Sequence, residues 1–239
     1  MGMMRAADRS SQTPRTDTQG RRQAPAPSGA DESRSADGGP SSIFLIGMMA
    51  CGKSTVGRHL AQRLGWDFVD VDRAIEQRTG VSISCIFDVE GEAGFRARET
   101  QMLAELTHRS GIVVATGGGA PMFEINRRLL AQGLVIELAT TVSDIIERTQ
   151  HDTTRPLLQA PDRIARIRAL MLERGPVYDS CCAHKVMTTR KSPEVVVNKI
   201  LALRGVAEVV ERGNRLRRAG DAPQDCGTER SNRSEADHD

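Results

Sequence analysis

Residues 43–55, IFLIGMMACGKST, constrain this chain more than any other stretch. Ile43 to Ile46 is a short apolar run, the pattern of a buried strand. It leads into Gly47, four intervening residues, then Gly52, Lys53, Ser54 and Thr55. That is the spacing of a phosphate-cradling loop set between a strand and a helix. Glycines let successive backbone N–H groups converge on phosphate oxygens, and the following helix offers unpaired donors and the positive end of its dipole. In such a loop a lysine reaches the β and γ phosphates and the next hydroxyl ligates Mg²⁺; Lys53 and Ser54 hold those places. Lysine occurs elsewhere only at 185, 191 and 199, which singles out the one in this loop. The stretch reads as a nucleotide-binding site.

From Ile43 to about Arg204, short apolar runs alternate with helical periodicity. Val56, Leu60, Ala61 and Leu64 recur at helical spacing and Gly65 closes that helix. Residues 68–72, FVDVD, read as a strand ending in two acids. Helical patterns follow at 74–77 and 95–108, then a buried strand at 112–116 that runs into Gly117-Gly118-Gly119. A helix at 127–132, a strand at 134–138, helices at 142–149 and 162–174, a strand at 185–189 and a helix from Pro193 complete the series. Such alternation predicts an α/β fold, a parallel sheet of about five strands with helices on both faces. Ligands of such sheets sit beyond the carboxyl ends of the strands. The phosphate loop, Asp70, Asp72 and the triple glycine all fall at such ends.

The flanks differ in kind. Residues 1–41 are rich in Ser, Pro, Gly, Ala, Arg and Asp and contain no aromatic residue, the composition of a disordered tail. The segment lacks the apolar centre of a secretory signal, and Asp8, Asp17, Asp31 and Glu32 argue against an organellar transit peptide. Residues 205–239 read as a second disordered tail, with Val209-Val210 extending the last helix a little. One working domain, 42–204, remains. A net charge of +2 offers no global basic field for nucleic acid, and no apolar run approaches the ~20 residues that span a bilayer. Five cysteines without a C-x-x-C pair fit a reducing, cytoplasmic setting better than a disulfide framework.

Several constellations carry chemistry. Asp70 and Asp72, two apart, point the same way on a regular strand. They read either as a pair directed at Mg²⁺ and an acceptor hydroxyl or as a solvated strand end capping a helix. Arg96 and Glu99 in FRARE read locally as a surface pair. Three successive glycines after a buried strand read either as a close approach of backbone to a ligand or as a flexible turn. His151 to Leu158 is a polar loop whose Arg155 suits a lid closing on a transferring phosphoryl group. Arg174, before Gly175-Pro176, either favours a helix C-terminus or grips an anionic substrate. Cys181-Cys182 reads as reduced thiols near the surface, and Cys51 in the phosphate loop as a reactive thiol shielded by nucleotide.

Taken together, GMMACGKST, Asp70-Val71-Asp72, FRARE (95–99), TGGG (116–119), TRPLL (154–158) and ERGPVY (173–178) resemble shikimate kinases, nucleoside-monophosphate-kinase-like phosphate-loop enzymes. The resemblance spans about 43–203. It implies ATP-dependent, Mg²⁺-requiring phosphorylation of the 3-hydroxyl of shikimate, a step in aromatic amino-acid synthesis, by a monomer. On this resemblance Gly47, Ala50, Cys51, Gly52, Lys53, Ser54 and Thr55 hold ATP, with Arg148 and Lys191 near adenine and Arg155 on the phosphates. Ser54 and Asp70 hold Mg²⁺. Asp72 binds and activates the acceptor hydroxyl, Arg96 and Arg174 clamp the substrate carboxylate, and Gly118 and Gly119 contact it through backbone. The substrate region would be about 70–99 and the lid about 148–158. One departure stands out: the family usually has glycine where this chain has Ala50, and a need for positive φ there would weaken ATP binding.

Three rivals share the phosphate loop. A gluconate-type sugar-acid kinase and a nucleoside-monophosphate kinase differ in the acceptor, and a nucleotide-binding regulatory module would catalyse nothing. The Asp70-Asp72 pair, Arg96 and the triple glycine together argue against the first, Arg96 and Arg174 as ligands of a carboxylate against the second, and the acceptor pocket of Asp72, Arg96, Arg155 and Arg174 against the third.

Overall fold

The first strand, Ile43–Ile46 (β1), is wholly buried, so successive side chains enter opposite layers of the core. Phe44 and Ile46 pack with one apolar cluster, and Ile43 and Leu45 with another. In the computed structural model the described residues, 39–150 and 162–220, place β1 at the centre of a five-stranded sheet. The other strands are Asp67–Asp70 (β2), Ile112–Ala115 (β3), Leu134–Ala139 (β4) and His184–Met187 (β5). Their order is β2-β3-β1-β4-β5 and every pairing is parallel. The expected α/β architecture is therefore present.

Helices cover both faces. One layer holds α1 (Lys53–Leu64), α7 (Pro193–Leu201) and α8 (Val206–Gly220), through Val56, Leu60, Val196, Ile200, Val206 and Val209. The other holds α2 (Val71–Thr79), α3 (Ile83–Thr107), α4 (Glu124–Leu130), α5 (Val142–Thr149) and α6 (Arg163–Cys181), through Ile75, Leu103, Leu130, Ile145 and Leu170. Both layers are needed, because a sheet buried on two faces must be apolar on both. A short 3₁₀ turn, Ala120–Met122, follows the glycines after β3.

Four expectations are corrected. Residues 68–72 are not one strand: β2 stops at Asp70, whose carboxylate accepts from the Arg73 N–H and so starts α2 at Val71. The helix expected at 95–108 begins earlier, at Ile83, and bends at Gly91, where φ is 70°. Arg98 bridges that bend to Glu90 at 2.6 Å. The helix expected to end at Arg174 runs through Pro176 to Cys181. The lost N–H costs one bond, but continuing carries Tyr178 into the core, where it is 1% exposed. Finally, 206–220 is not a tail but the helix α8. Val206 and Val209 are buried, and the Trp66 indole donates to Asn214 at 2.7 Å. A Cβ at Gly213 would meet that ring at 2.4 Å, so glycine is what lets α8 close on it.

Local chemistry sets the helix starts near the cleft. Thr141 and Asp144 form a reciprocal capping box on α5, and Thr140 also donates to Asp144 at 3.1 Å. The nearby Thr189 hydroxyl, together with hydrogen bonds from Thr141 and Thr140, pulls the Asp144 carboxyl down to about 2. A lowered folded-state value means stability is present above the unfolded value and is lost as pH falls through the folded one. We therefore expect Asp144→Asn to lower the urea midpoint at pH 6, with the gap to wild type closing as pH falls from about 4 to 2. A gap unchanged at pH 2 would contradict this account.

Candidate active site

The phosphate loop leaves β1 at Gly47 and enters α1 through Gly52, its N-cap. Lys53 stays inside the loop's curve: Nζ donates to the carbonyls of Gly47 at 2.8 Å and Met48 at 2.9 Å, and approaches Cys51 Sγ at 3.7 Å. Ser54 Oγ donates to Asp70 Oδ2 at 2.5 Å. A hydroxyl and a carboxylate meeting beside a phosphate loop are hard oxygen donors of the kind Mg²⁺ takes in partnership with phosphates. Among the described residues no group of three or more His, Cys, Asp or Glu is arranged to hold a metal by itself. Asp70 thus caps α2, one of the two readings left open by the sequence, and also meets Ser54.

Ala50 has φ of 56°, in the left-handed region. Arg148 Nη1 holds its carbonyl at 3.0 Å and Nη2 reaches the Thr188 carbonyl at 3.4 Å. A side chain in that region costs about 1 kcal/mol relative to glycine. Because contacts within the fold set the conformation, we expect the cost to fall on stability rather than on affinity. For Ala50→Gly we expect a melting temperature raised by roughly 2 °C, since glycine's added unfolded-state entropy offsets part of the gain, and a KM for ATP changed less than about twofold. A many-fold fall in that KM would show instead that Ala50 weakens nucleotide binding. Cys51 is 0% exposed and packs in the core layer beside α1. The reactive thiol expected there is instead a buried one.

Across the cleft, Asp72 sits in the first turn of α2. Arg96 on α3 donates to Glu99 at 2.8 Å and to Glu92 at 3.1 Å, and its guanidinium lies over the rings of Phe95 and Phe123. Glu99 is 0% exposed. Burial pushes its carboxyl up, opposed chiefly by the Arg96 charge and aided by Asp72. The surface pair read locally is therefore an internal one. Its signal lay in the helical period, which puts Glu99 on the same face as buried Phe95, one turn away. Arg174 is 7% exposed, and its Nε is buried with no hydrogen-bond partner among the described residues. A buried cationic group with an unused donor suits an anion. The glycines fit between these cations: a Cβ at Gly119 would lie 2.6 Å from Arg96 Nη2, and one at Gly118 3.4 Å from Arg174 Nη1.

One cleft of about 1110 Å³ joins these groups. Its lining includes Ala50, Cys51, Gly52, Lys53, Ser54 and Thr55, then Asp70, Asp72, Arg96, Gly118, Gly119, Arg148, Arg174 and Lys191. Gly47 lies at the base of the loop, its carbonyl on Lys53. Lys191 Nζ donates to the Met187 carbonyl at 2.9 Å, beyond the end of β5. Arg155 and residues 151–158 of the expected lid lie outside the described residues. The cleft thus pairs a phosphate-binding end with an end that carries two arginines, two acids and bare backbone. Sequence reasoning gave no role to Tyr178, whose hydroxyl donates to the Gly118 carbonyl at 2.5 Å, or to Arg166 and Glu173, which line the cleft from α6.

The family model described as shikimate kinase matches residues 49–204. The chain belongs to the shikimate kinase family. A shikimate kinase of Halorhodospira halophila is 55% identical over 168 residues, covering 70% of this chain and 95% of that protein. One of Shewanella sediminis is 50% identical over 160 residues, covering 66% and 94%. Among solved structures, the shikimate kinase of Acinetobacter baumannii in complex with shikimate is similar at a TM-score of 0.66 and 44% identity, covering 68% of this chain and 91% of that one. The family match ends before α8, so that helix is an addition to what the shikimate kinase model covers.

Proposed function

We propose that this chain transfers the γ-phosphoryl group of ATP to the 3-hydroxyl of shikimate, giving shikimate 3-phosphate and ADP, a step of aromatic amino-acid synthesis. The observation that carries the reading is the single cleft in which a phosphate loop faces Asp72, Arg96 and Arg174, in a chain of this family. Phosphoryl transfer asks the protein mainly for positioning and charge stabilisation, and these residues supply both. Backbone donors from Gly47 to Thr55 and the Lys53 ammonium hold the phosphates, and Ser54 with Asp70 holds Mg²⁺. When bound, that ion neutralises charge on the β and γ phosphates. Arg96 and Arg174 bind the acceptor carboxylate, a task suited to planar guanidinium groups. Gly118 and Gly119 bring backbone against the acceptor. Asp72 orients the 3-hydroxyl and accepts its proton as the oxygen attacks phosphorus. Arg148 and Lys191 flank the adenine end, and Arg155 steadies the transferring group from the lid.

We place the enzyme in the cytoplasm as a monomer. Among the described residues Cys51, Cys85, Cys181 and Cys182 are unpaired, which supports a reducing compartment. A solution mass near 26.0 kDa by light scattering is the expected result for the monomer. No helix of the described residues is long and apolar enough to cross a membrane.

The test is ADP release from ATP and Mg²⁺ with and without shikimate, with gluconate and nucleoside monophosphates as controls. Release that depends on shikimate alone supports the reading. Release driven by gluconate moves the function to a sugar-acid kinase, and nucleotide binding without any acceptor-dependent release makes the chain a regulatory module.

A further inference from the structure

Tyr178 lies behind the cleft, buried between the glycine turn, the phosphate loop and α6, and the reaction as described gives it no task. It lies on α6 one turn after Arg174, so the two share a helix face, and it is 1% exposed. Its hydroxyl donates to the Gly118 carbonyl at 2.5 Å and lies 3.8 Å from Met48 Sδ in the phosphate loop. The Met48 carbonyl in turn accepts from Lys53 Nζ at 2.9 Å. Gly118 also touches the loop directly: a Cβ there would lie 3.5 Å from the Gly47 carbonyl oxygen and 3.7 Å from the Met49 nitrogen. The glycine turn, the phosphate loop and the helix that carries Arg174 are thus packed around one phenol.

We infer that the Tyr178 hydroxyl is a positioning group that couples the acceptor end of the cleft to the phosphate end, so that each ligand raises the affinity for the other. The inference rests on the phosphotransfer reading above. Its physical content is a two-way linkage. An acceptor seated on Arg174 and the Gly118 backbone fixes the carbonyl that the phenol holds. The phenol then fixes Met48, whose carbonyl sets Lys53. By reciprocity, phosphates that order Lys53 and the loop order the glycine turn for the acceptor. Burial pushes the Tyr178 hydroxyl well above the usual phenol range, so it remains a donor at any working pH.

Tyr178→Phe tests this while keeping the ring and hence the core volume. The measurement is titration calorimetry of shikimate with and without saturating ADP and Mg²⁺. The wild type is expected to bind shikimate several-fold more tightly with the nucleotide present. In Tyr178→Phe, shikimate alone should bind roughly five- to tenfold more weakly, the effect of one lost hydrogen bond. ADP alone should bind within about twofold of wild type, and the ratio of shikimate affinities with and without ADP should fall towards one. A purely structural role would lower the melting temperature and leave that ratio unchanged, which would overturn the inference. Met48→Leu carries the test from the other end should Tyr178→Phe fail to fold. It should reduce the ratio while leaving affinity for shikimate alone within about twofold, and an unaltered ratio there overturns the inference equally. A wild type that turns over shikimate with no such ratio defeats the inference alone. A wild type that binds ADP and no shikimate defeats the phosphotransfer reading, and the inference with it.

Discussion

Replacing Asp72 by asparagine is expected to lower kcat by ~10²–10⁴-fold, the range for loss of a general base, with the fold intact. Asparagine keeps the shape and the position in the first turn of α2 but cannot take up a proton. The stability readout separates a chemical role from a structural one. The Asp72 charge helps to push the carboxyl of buried Glu99 up. A raised folded-state value for an acid means that folding disfavours its charged form, so stability is lost as pH rises above the unfolded value near 4.5. Removing the Asp72 charge eases that cost and leaves the Arg96–Glu99 pair at 2.8 Å undisturbed. Asp72→Asn should therefore melt close to the wild-type temperature at neutral pH while losing almost all turnover. Steady-state kinetics with thermal denaturation checks both halves. A variant that keeps a tenth or more of wild-type kcat would remove Asp72 from the role of base.

Ending the chain at Gly205 is expected to lower the melting temperature by roughly 10 °C while leaving turnover at 20 °C within about twofold of the full chain. The helix removed buries Val206 and Val209 and covers Trp66, which is 6% exposed. Burial of that size contributes several kcal/mol, about half of it offset by the entropy of ordering the helix. Hydrogen bonds tie the same helix to the amino-terminal side of the sheet: Arg217 to the Gly65 and Gly111 carbonyls at 2.9 and 3.2 Å, and Arg212 to the Pro40 carbonyl at 3.1 Å. No residue of α8 lines the cleft, so the loss falls on the scaffold and not on the site. Differential scanning calorimetry of the shortened chain, with kcat at 20 °C, decides it. An unchanged melting temperature would mean that α8 adds nothing. A large loss of kcat at 20 °C would mean that it reaches the site.

Much of the molecule is written locally. The four apolar residues of β1, the spacing from Gly47 to Thr55 and the closure of α1 at Gly65 depend on neighbours a few positions away. Such patterns are visible without a fold. The same holds for α5, whose Thr141–Asp144 capping box begins the helix where periodicity placed it. Alternation of such elements was enough to predict the parallel sheet, because a strand apolar on both sides must be covered twice.

What only the tertiary structure decided is what depends on distant partners. Asp70 became a cap rather than a strand residue because the Arg73 N–H reached its carboxylate, and it met Ser54 sixteen positions earlier. Glu99 became an internal acid because packing closed over it beside Arg96 and Gly117. Helix α8 formed because Trp66 and Asn214, 148 positions apart, supplied the partner that a helix with so few large apolar residues cannot find within itself. The resemblance to a family supplied the pairing of Arg96 with Arg174, which no local pattern contains. Short-range patterns fix dihedral preferences, and these the sequence states outright. Burial and charge pairing arise only when remote segments share one space, and in this protein they decide which acids and arginines face the cleft.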